Sequence, residues 1–161
     1  MPYSPKAIAN KFLELAQQES QSLTQMQIQK LVYISHGFHL ALVNQPLIDE
    51  EVQAWQYGPV IPSLYEEFRG FGNKPITKEA TITTIDDNFN INSIAPRVND
   101  TQTEELIKAV WNKYKVYSGP NLSDLTHQTG TPWSTVVQSN SFFSTIDNSI
   151  IRNYYNNLLA G

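Results

Sequence analysis

LTQMQIQKLVYISHGFHLAL, residues 23–42, carries the strongest local signal in the chain. Thr24 followed three positions on by Gln27 is a capping box, in which each side chain satisfies a backbone N–H at the helix start. Leu23 before the box and Ile28 within the first turns form the hydrophobic staple that fixes the entering chain. From there Ile28, Leu31, Val32, Ser35, Phe38 and Leu42 recur at helical spacing until Asn44-Gln45-Pro46 stops the run. The stretch predicts a helix, and the segments on either side of it decide the class.

Upstream, Ser4 is an N-cap with Pro5 at the first helical position. Ile8, Phe12 and Leu15, with Ala9 and Ala16, make a one-sided apolar stripe that runs to about Gln18. Downstream, EEVQAW (50–55) alternates Val52 and Ala54 against Glu51 and Gln53, the pattern of a short strand. A third helix is expected around Ile61–Phe71, with Leu64, Tyr65 and Phe68 inward and Gly70 and Gly72 closing it. Residues 80–94 predict a hairpin: Ile82 and Ile85 precede Asp86-Asp87-Asn88, and Phe89 and Ile91 follow it. Pro96 ends that section.

The second half is helical again. Thr101 and Glu104 suggest another capping box, leading into Leu106, Val110, Trp111, Tyr114 and Tyr117 before Ser118-Gly119-Pro120 breaks the run. Short helices are expected at about 121–128 and 132–138, the latter capped by Thr131 with Pro132 at its first position. A last helix, roughly 145–159, carries Ile146, Ile150, Ile151, Tyr154, Tyr155 and Leu158. The sum is a mainly α fold: one compact helical domain spanning 1–161, of about six to seven helices, with one small β-hairpin or sheet.

Composition narrows the function. The 161 residues are 40% hydrophobic, enough for a real core, and carry a net charge of −4. Nucleic-acid affinity rests on clustered Lys and Arg, so this balance argues against such a partner and fits a basic protein better. Charged residues make up only 16%, leaving a surface rich in Gln, Asn, Ser and Thr. The absence of cysteine excludes disulfides, thiolate catalysis and Cys-ligated zinc. MPYSPKAIANKF has no signal-peptide pattern, and no apolar run of about 18 residues occurs. A cytoplasmic protein without a membrane partner is the expectation.

Few residues suggest catalysis. His36 and His39 lie three apart on one predicted helix, and His127 is a conceivable third ligand of a metal hydrolase. HxxH alone is a weak motif, and histidines at a core margin are the commoner outcome. Glu50-Glu51 and Glu66-Glu67 are adjacent pairs, whose side chains diverge instead of sharing a proton. Ser123, Asp124, Thr126 and His127 hold the residue types of a hydrolase triad, but neighbours on one short helix cannot converge as a triad must, and capping accounts for Ser123. G-x-S-x-G, P-loop and G-x-G-x-x-G signatures are absent. Neither a catalytic residue, a cofactor nor a metal is assigned.

AWQYGPVIP (54–62) gathers a tryptophan, a tyrosine, a glycine and two prolines. Gly58 before Pro59 predicts a turn with access to positive φ, and Pro59 or Pro62 pre-sets the helix that follows. The structural reading is a corner with Trp55 buried beneath it. The binding reading is a rigid rim whose Trp and Tyr have hot-spot composition.

Three segments, residues 23–42, PLIDEEVQAWQYGPVIPSLYEEFRGFG (46–72) and LSDLTHQTGTPWSTV (122–136), together resemble the Panacea domain family of phage-associated, SocA/GepA-type antitoxin proteins. Q-K-L-x-Y, A-W-x-Y-G-P-V and L-T-H followed by P-W carry the resemblance, which covers most of the chain. It implies a bacterial or prophage-encoded antitoxin, non-enzymatic, that neutralises a toxin from the neighbouring gene through direct contact. An alternative within the family is an adaptor that presents the toxin to a cytosolic protease. The matching positions are Gln29, Lys30, Leu31, Tyr33, Trp55, Tyr57, Gly58, Pro59, Val60, Leu125, Thr126, His127, Pro132 and Trp133. Longer relatives append a DNA-binding helix-turn-helix, whereas this length and acidity imply none here. Candidate partner-binding or motif residues are therefore Lys30, Tyr33, Trp55, Tyr57, Gly58, Pro59, His127 and Trp133, with Glu66 and Glu67 steering a basic toxin.

Overall fold

The structure, a computed structural model, describes residues 1–139 and 141–161. In chain order it forms α1 (Pro5–Gln18), α2 (Gln25–Val43), β1 (Val52–Trp55), β2 (Gly58–Val60) and α3 (Pro62–Phe68), which tightens into a 3-10 turn over Arg69–Phe71. There follow β3 (Ile82–Ile85), β4 (Ile91–Ile94), α4 (Thr101–Tyr114), α5 (Gly119–His127), α6 (Pro132–Ser139), β5 (Ser144–Ile146) and α7 (Asn148–Ala160).

The capping box forms in both directions: Gln27 N–H donates to Thr24 Oγ1 (3.4 Å) and Thr24 N–H to Gln27 Oε1 (2.9 Å). Asn44 ends α2 in the left-handed conformation, φ 56°, with its N–H on the Leu40 carbonyl. Between these ends α2 is buried nearly all round, because α1, α4, α5 and α7 surround it while β2 and α3 pack on its first half. A helix with so little exposed face must satisfy its polar side chains internally, and Gln29, Lys30, Ser35 and His36 are all buried. At Gly37 a Cβ would stand 2.3 Å from the Tyr155 ring, so only glycine lets α7 approach this closely. Tyr155 in turn stacks edge-on against Tyr33 and Phe38. Phe12 of α1 and Trp111 of α4 meet beneath α2, and Trp111 Nε1 donates to Glu19 (2.7 Å). Burying each such ring is worth about 1.5–3 kcal/mol.

The mainly α expectation is corrected here. Two sheets are present among the described residues, a three-stranded one in the order β2-β1-β5 and the two-stranded β3–β4. The three-stranded sheet belongs to the core, since it buries Val52, Ala54, Val60 and Ile146. Both pairings are antiparallel, Trp55 opposite Gly58 and Val52 opposite Ile146. The class is mixed α and β with helix predominating. β2 escaped the sequence reading because Gly and Pro disfavour strands, and β5 because three residues hold no alternation of their own. Their extended form is imposed by β1.

Three helix starts shift for related reasons. Asp100, not Thr101, caps α4, its Oδ2 accepting from Thr103 N–H at 2.9 Å, and Thr101 is already inside the helix. Ser118 caps α5, so the Ser-Gly-Pro break is the start of that helix and Ser123 lies within it. α7 begins at Asn148 behind the Asp147 cap because residues 144–146 pair with β1. α1, α6 and the hairpin around Asp86 stand where the sequence placed them. Among the described residues no helix is long and apolar enough to cross a membrane.

Candidate partner-binding groove

The β1–β2 turn is where the separated motifs meet. Gln29 clamps Ile61 at both backbone atoms, donating from Nε2 to its carbonyl (3.1 Å) and accepting its N–H at Oε1 (2.9 Å). One residue on, Lys30 Nζ donates to the Pro59 carbonyl at 2.9 Å. From the other side, Ser123 Oγ of α5 donates to the Tyr57 carbonyl (2.5 Å), and Trp133 Nε1 of α6 donates to the Trp55 carbonyl (2.6 Å). Four side chains from three helices thus hold the backbone of residues 55–61. Gly58 is required by conformation and by space: its φ is 119°, and a Cβ would lie 3.3 Å from Lys30 Nζ and 3.4 Å from Thr126 Oγ1.

Held this way, the turn presents its side chains outward. Tyr57 is 62% exposed. Trp55 is half-buried, a correction to the corner reading that placed it beneath the turn. The strand alternation explains the difference: Val52 and Ala54 face the core, so Gln53 and Trp55 face away, and Trp55 Nε1 donates to Gln53 Oε1 (2.9 Å). Its ring packs instead against Tyr65, centroids 4.9 Å apart, and Phe143 at 5.2 Å. Tyr65, expected inward, is exposed on this wall. With Met26, Val60 and Pro120 these rings line a predominantly apolar groove of about 790 Å³. Sequence reasoning passed over Phe143 and Met26. Phe143 had a faint signal, two adjacent aromatics between serines with no helical or strand period to bury them.

Lys30 also lines this groove, although only 2% exposed. Burial pushes its ammonium down to about 7, and no charged neighbour opposes the shift. Among the described residues it has no ion-pair partner, and none of those lining the groove is acidic.

The other candidates sit in varied settings. Tyr33 is core, packed edge-on against Tyr155 and with its phenol pushed up by burial. Pro59 and Gly58 are buried. Glu66 is exposed and pairs with Arg69 (3.6 Å). Glu67 instead accepts the Thr81 N–H (2.7 Å) and faces Lys6 at 3.7 Å. The two glutamates do diverge, and of the pair Glu66 is the more exposed.

The three histidines take separate partners. His36 accepts Leu47 N–H at Nδ1 (3.2 Å) and donates from Nε2 to Asn148 Oδ1 (2.9 Å), which ties α2 to the start of α7. Burial lowers its pKa to about 4 despite the Asn148 bond. His39 Nδ1 donates to the Gln45 carbonyl. His127 Nδ1 donates to the Ser123 carbonyl (2.5 Å) while its ring meets Trp133 edge-on. The Ser123 proton goes to Tyr57 and the His127 Nδ1 proton to the Ser123 backbone, an arrangement that positions α5 and activates no nucleophile. Among the described residues no three His, Asp or Glu side chains gather as a metal site.

Residues 28–134 match the family model described as "Antitoxin SocA-like, Panacea domain". Antitoxin SocA of Caulobacter vibrioides (strain NA1000 / CB15N) is 30% identical over 132 residues, which is 82% of this chain and 69% of that protein. No solved structure matches the chain.

Proposed function

The chain belongs to the antitoxin SocA-like, Panacea domain family, and from that premise we propose that it is an antitoxin which neutralises a cognate toxin by direct contact. The toxin is encoded by the neighbouring gene, both proteins act in the cytoplasm, and the chain works without catalysis or cofactor. The docking surface is the aromatic groove walled by Trp55, Tyr57, Tyr65 and Phe143. The observation that carries this reading is the fixed turn at 55–61: motif residues from α2 and α6, with Ser123 of α5, rigidify a backbone whose own Tyr57 stays exposed and whose Trp55 stays half-exposed. Rigid aromatics lose little entropy on binding and dominate interface energetics. Within the motif, Gly58, Pro59, His127 and Trp133 shape the turn, Tyr33 belongs to the core, and Trp55 and Tyr57 touch the toxin. A stable interface buries about 800 Å² on each partner, so the toxin extends beyond the groove onto its rim. Glu66 there speeds the approach of a basic toxin.

The test is genetic and biochemical together. The adjacent open reading frame is expressed in a bacterium alone and with this protein, following growth and co-purification. Toxicity relieved by co-expression, with a complex on the column, is the expected result. A harmless neighbour, or toxicity without relief, overturns the proposal. Repeating the rescue in a host without its cytosolic proteases separates masking, which persists, from delivery to a protease, which fails.

A further inference from the structure

A buried amine without a counter-charge is an unusual way to build a groove floor. Among the described residues, Lys30 is the only cationic side chain lining the groove, and the Pro59 carbonyl accepts one of its three N–H bonds. Its neighbour Gln29 shows what a purely structural group does in the same place, since its amide is satisfied in both directions by Ile61. An ammonium held out of water costs stability wherever it is charged, whereas a carboxylate brought alongside it would restore the lost solvation. A second polar atom on the same surface lacks a partner: Gln25 Oε1 is buried without a donor, and Gln25 lines the groove. An extended peptide could supply both missing groups, a backbone N–H to Gln25 and an acidic side chain to Lys30, while its apolar residues cover Trp55, Tyr57, Tyr65 and Phe143.

We propose that the groove receives an extended apolar segment of the partner protein carrying one Asp or Glu, whose carboxylate pairs with Lys30. The inference rests on the groove being the docking surface, and adds the chemistry of what docks. The carboxylate is that of a side chain within the segment, not of a chain end. A partner that is basic overall is compatible with this, since Glu66 is exposed outside the groove lining and Lys30 is buried within it. Among the described residues, Tyr57 and Tyr65 are the other titratable side chains lining the groove, and no carboxylate or imidazole lines it.

The test uses acetylated and amidated heptapeptides of Leu, Phe and Ser with a central Glu, their Gln counterparts, and a third set with Gln and a free C-terminus. Calorimetry on the intact protein should give at least tenfold tighter binding for Glu than for Gln, and Lys30→Met should erase that difference. The wild-type protein supplies a readout independent of any variant's folding. At about pH 8 the free Lys30 is mostly neutral, so pairing with Glu takes up nearly one proton per complex, measured in buffers of different ionisation enthalpy. Equal binding of Glu and Gln peptides, binding of neither, or binding without proton uptake overturns the inference. A preference for the free C-terminus overturns it in favour of a terminal carboxylate. The docking proposal fails separately: if Trp55→Ala leaves toxin rescue intact the groove is not the interface, whereas Trp55→Ala abolishing rescue with Lys30→Met silent removes only the carboxylate.

Discussion

Two of the places where the molecule uncovers apolar side chains are built differently. In the groove, Trp55 and Tyr57 stand on backbone held from behind by Gln29, Lys30, Ser123 and Trp133, and Tyr65 and Phe143 pack against the Trp55 ring. On the β3–β4 hairpin, Ile85, Phe89 and Ile91 are as exposed, Phe89 reaching 87%. That ribbon is fastened at its base, where Asn10 clamps Ala80 (2.8 and 2.9 Å) and Glu67 and Lys6 bind Thr81. Beyond it, the bonds are local: its own ladder and Asp86 accepting from Asn88 and Asn90. A lone two-stranded ribbon is marginally stable in water. Exposure by itself therefore does not mark a site. The groove differs in being concave, preorganised by distant elements and floored by the buried Lys30 amine, which is why the proposal rests on it.

The difference should show first in stability. Gln29→Ala orphans the buried Ile61 N–H, while the Ile61 carbonyl keeps the Leu64 and Tyr65 N–H groups, and should cost up to about 3 kcal/mol, read by urea denaturation. No hairpin substitution should approach that. A loss below about 1 kcal/mol would mean the groove is not held from α2.

Acid should act through the same helix. His36 titrates near 4 when folded against an ordinary 6.5, so between those values the unfolded chain binds more protons. Its contribution is present in full above about pH 6.5 and declines as pH falls toward 4, by about 3 kcal/mol in all. His36→Gln should flatten this part of a stability–pH profile, and an unchanged slope would contradict the burial described.

Trp55→Ala separates the two properties of the groove. Half-buried on an outer wall, the ring should contribute about 1–2 kcal/mol to folding, less than a core aromatic. Its loss from the interface should weaken toxin binding by about 2 kcal/mol or more, measured by titration calorimetry. A fall of about 3–5 kcal/mol in stability would reinstate the buried corner.

The smallest effect belongs to Glu66→Lys, within about 0.5 kcal/mol on stability because the Arg69 pair is exposed. Stopped-flow association at low salt should slow several-fold, with dissociation unchanged. The same change at Glu67 should instead destabilise, because it breaks the Thr81 bond.

Local chemistry made much of this fold legible. The Thr24–Gln27 box, the Ser4-Pro5 start and the Asp86 turn each write their structure into adjacent residues, and each forms as expected. β2 and β5 do not, because a three-residue strand takes its form from the partner beside it, and missing them led to a mainly α reading. The family resemblance is borne out by the match over residues 28–134. In the candidate site the motif residues were visible, but their depth was not. Lys30 has the charge of a surface residue and the surroundings of a core one, and only the enclosure of α2 reveals it. Trp55 could have been placed correctly from parity, since it alternates with Ala54 and shares a side with Gln53. Phe143 joins the wall through β5, which no local pattern announced.

The most direct test sets the two exposed regions against each other in one co-purification experiment with the neighbouring gene product. One variant carries Trp55→Ala and Phe143→Ala, the other Phe89→Ser and Ile91→Ser, and thermal melts establish that both are folded. Loss of the complex and of growth rescue with the groove variant, and retention of both with the hairpin variant, is the predicted outcome. A complex that survives the groove substitutions and fails with the hairpin ones would contradict it.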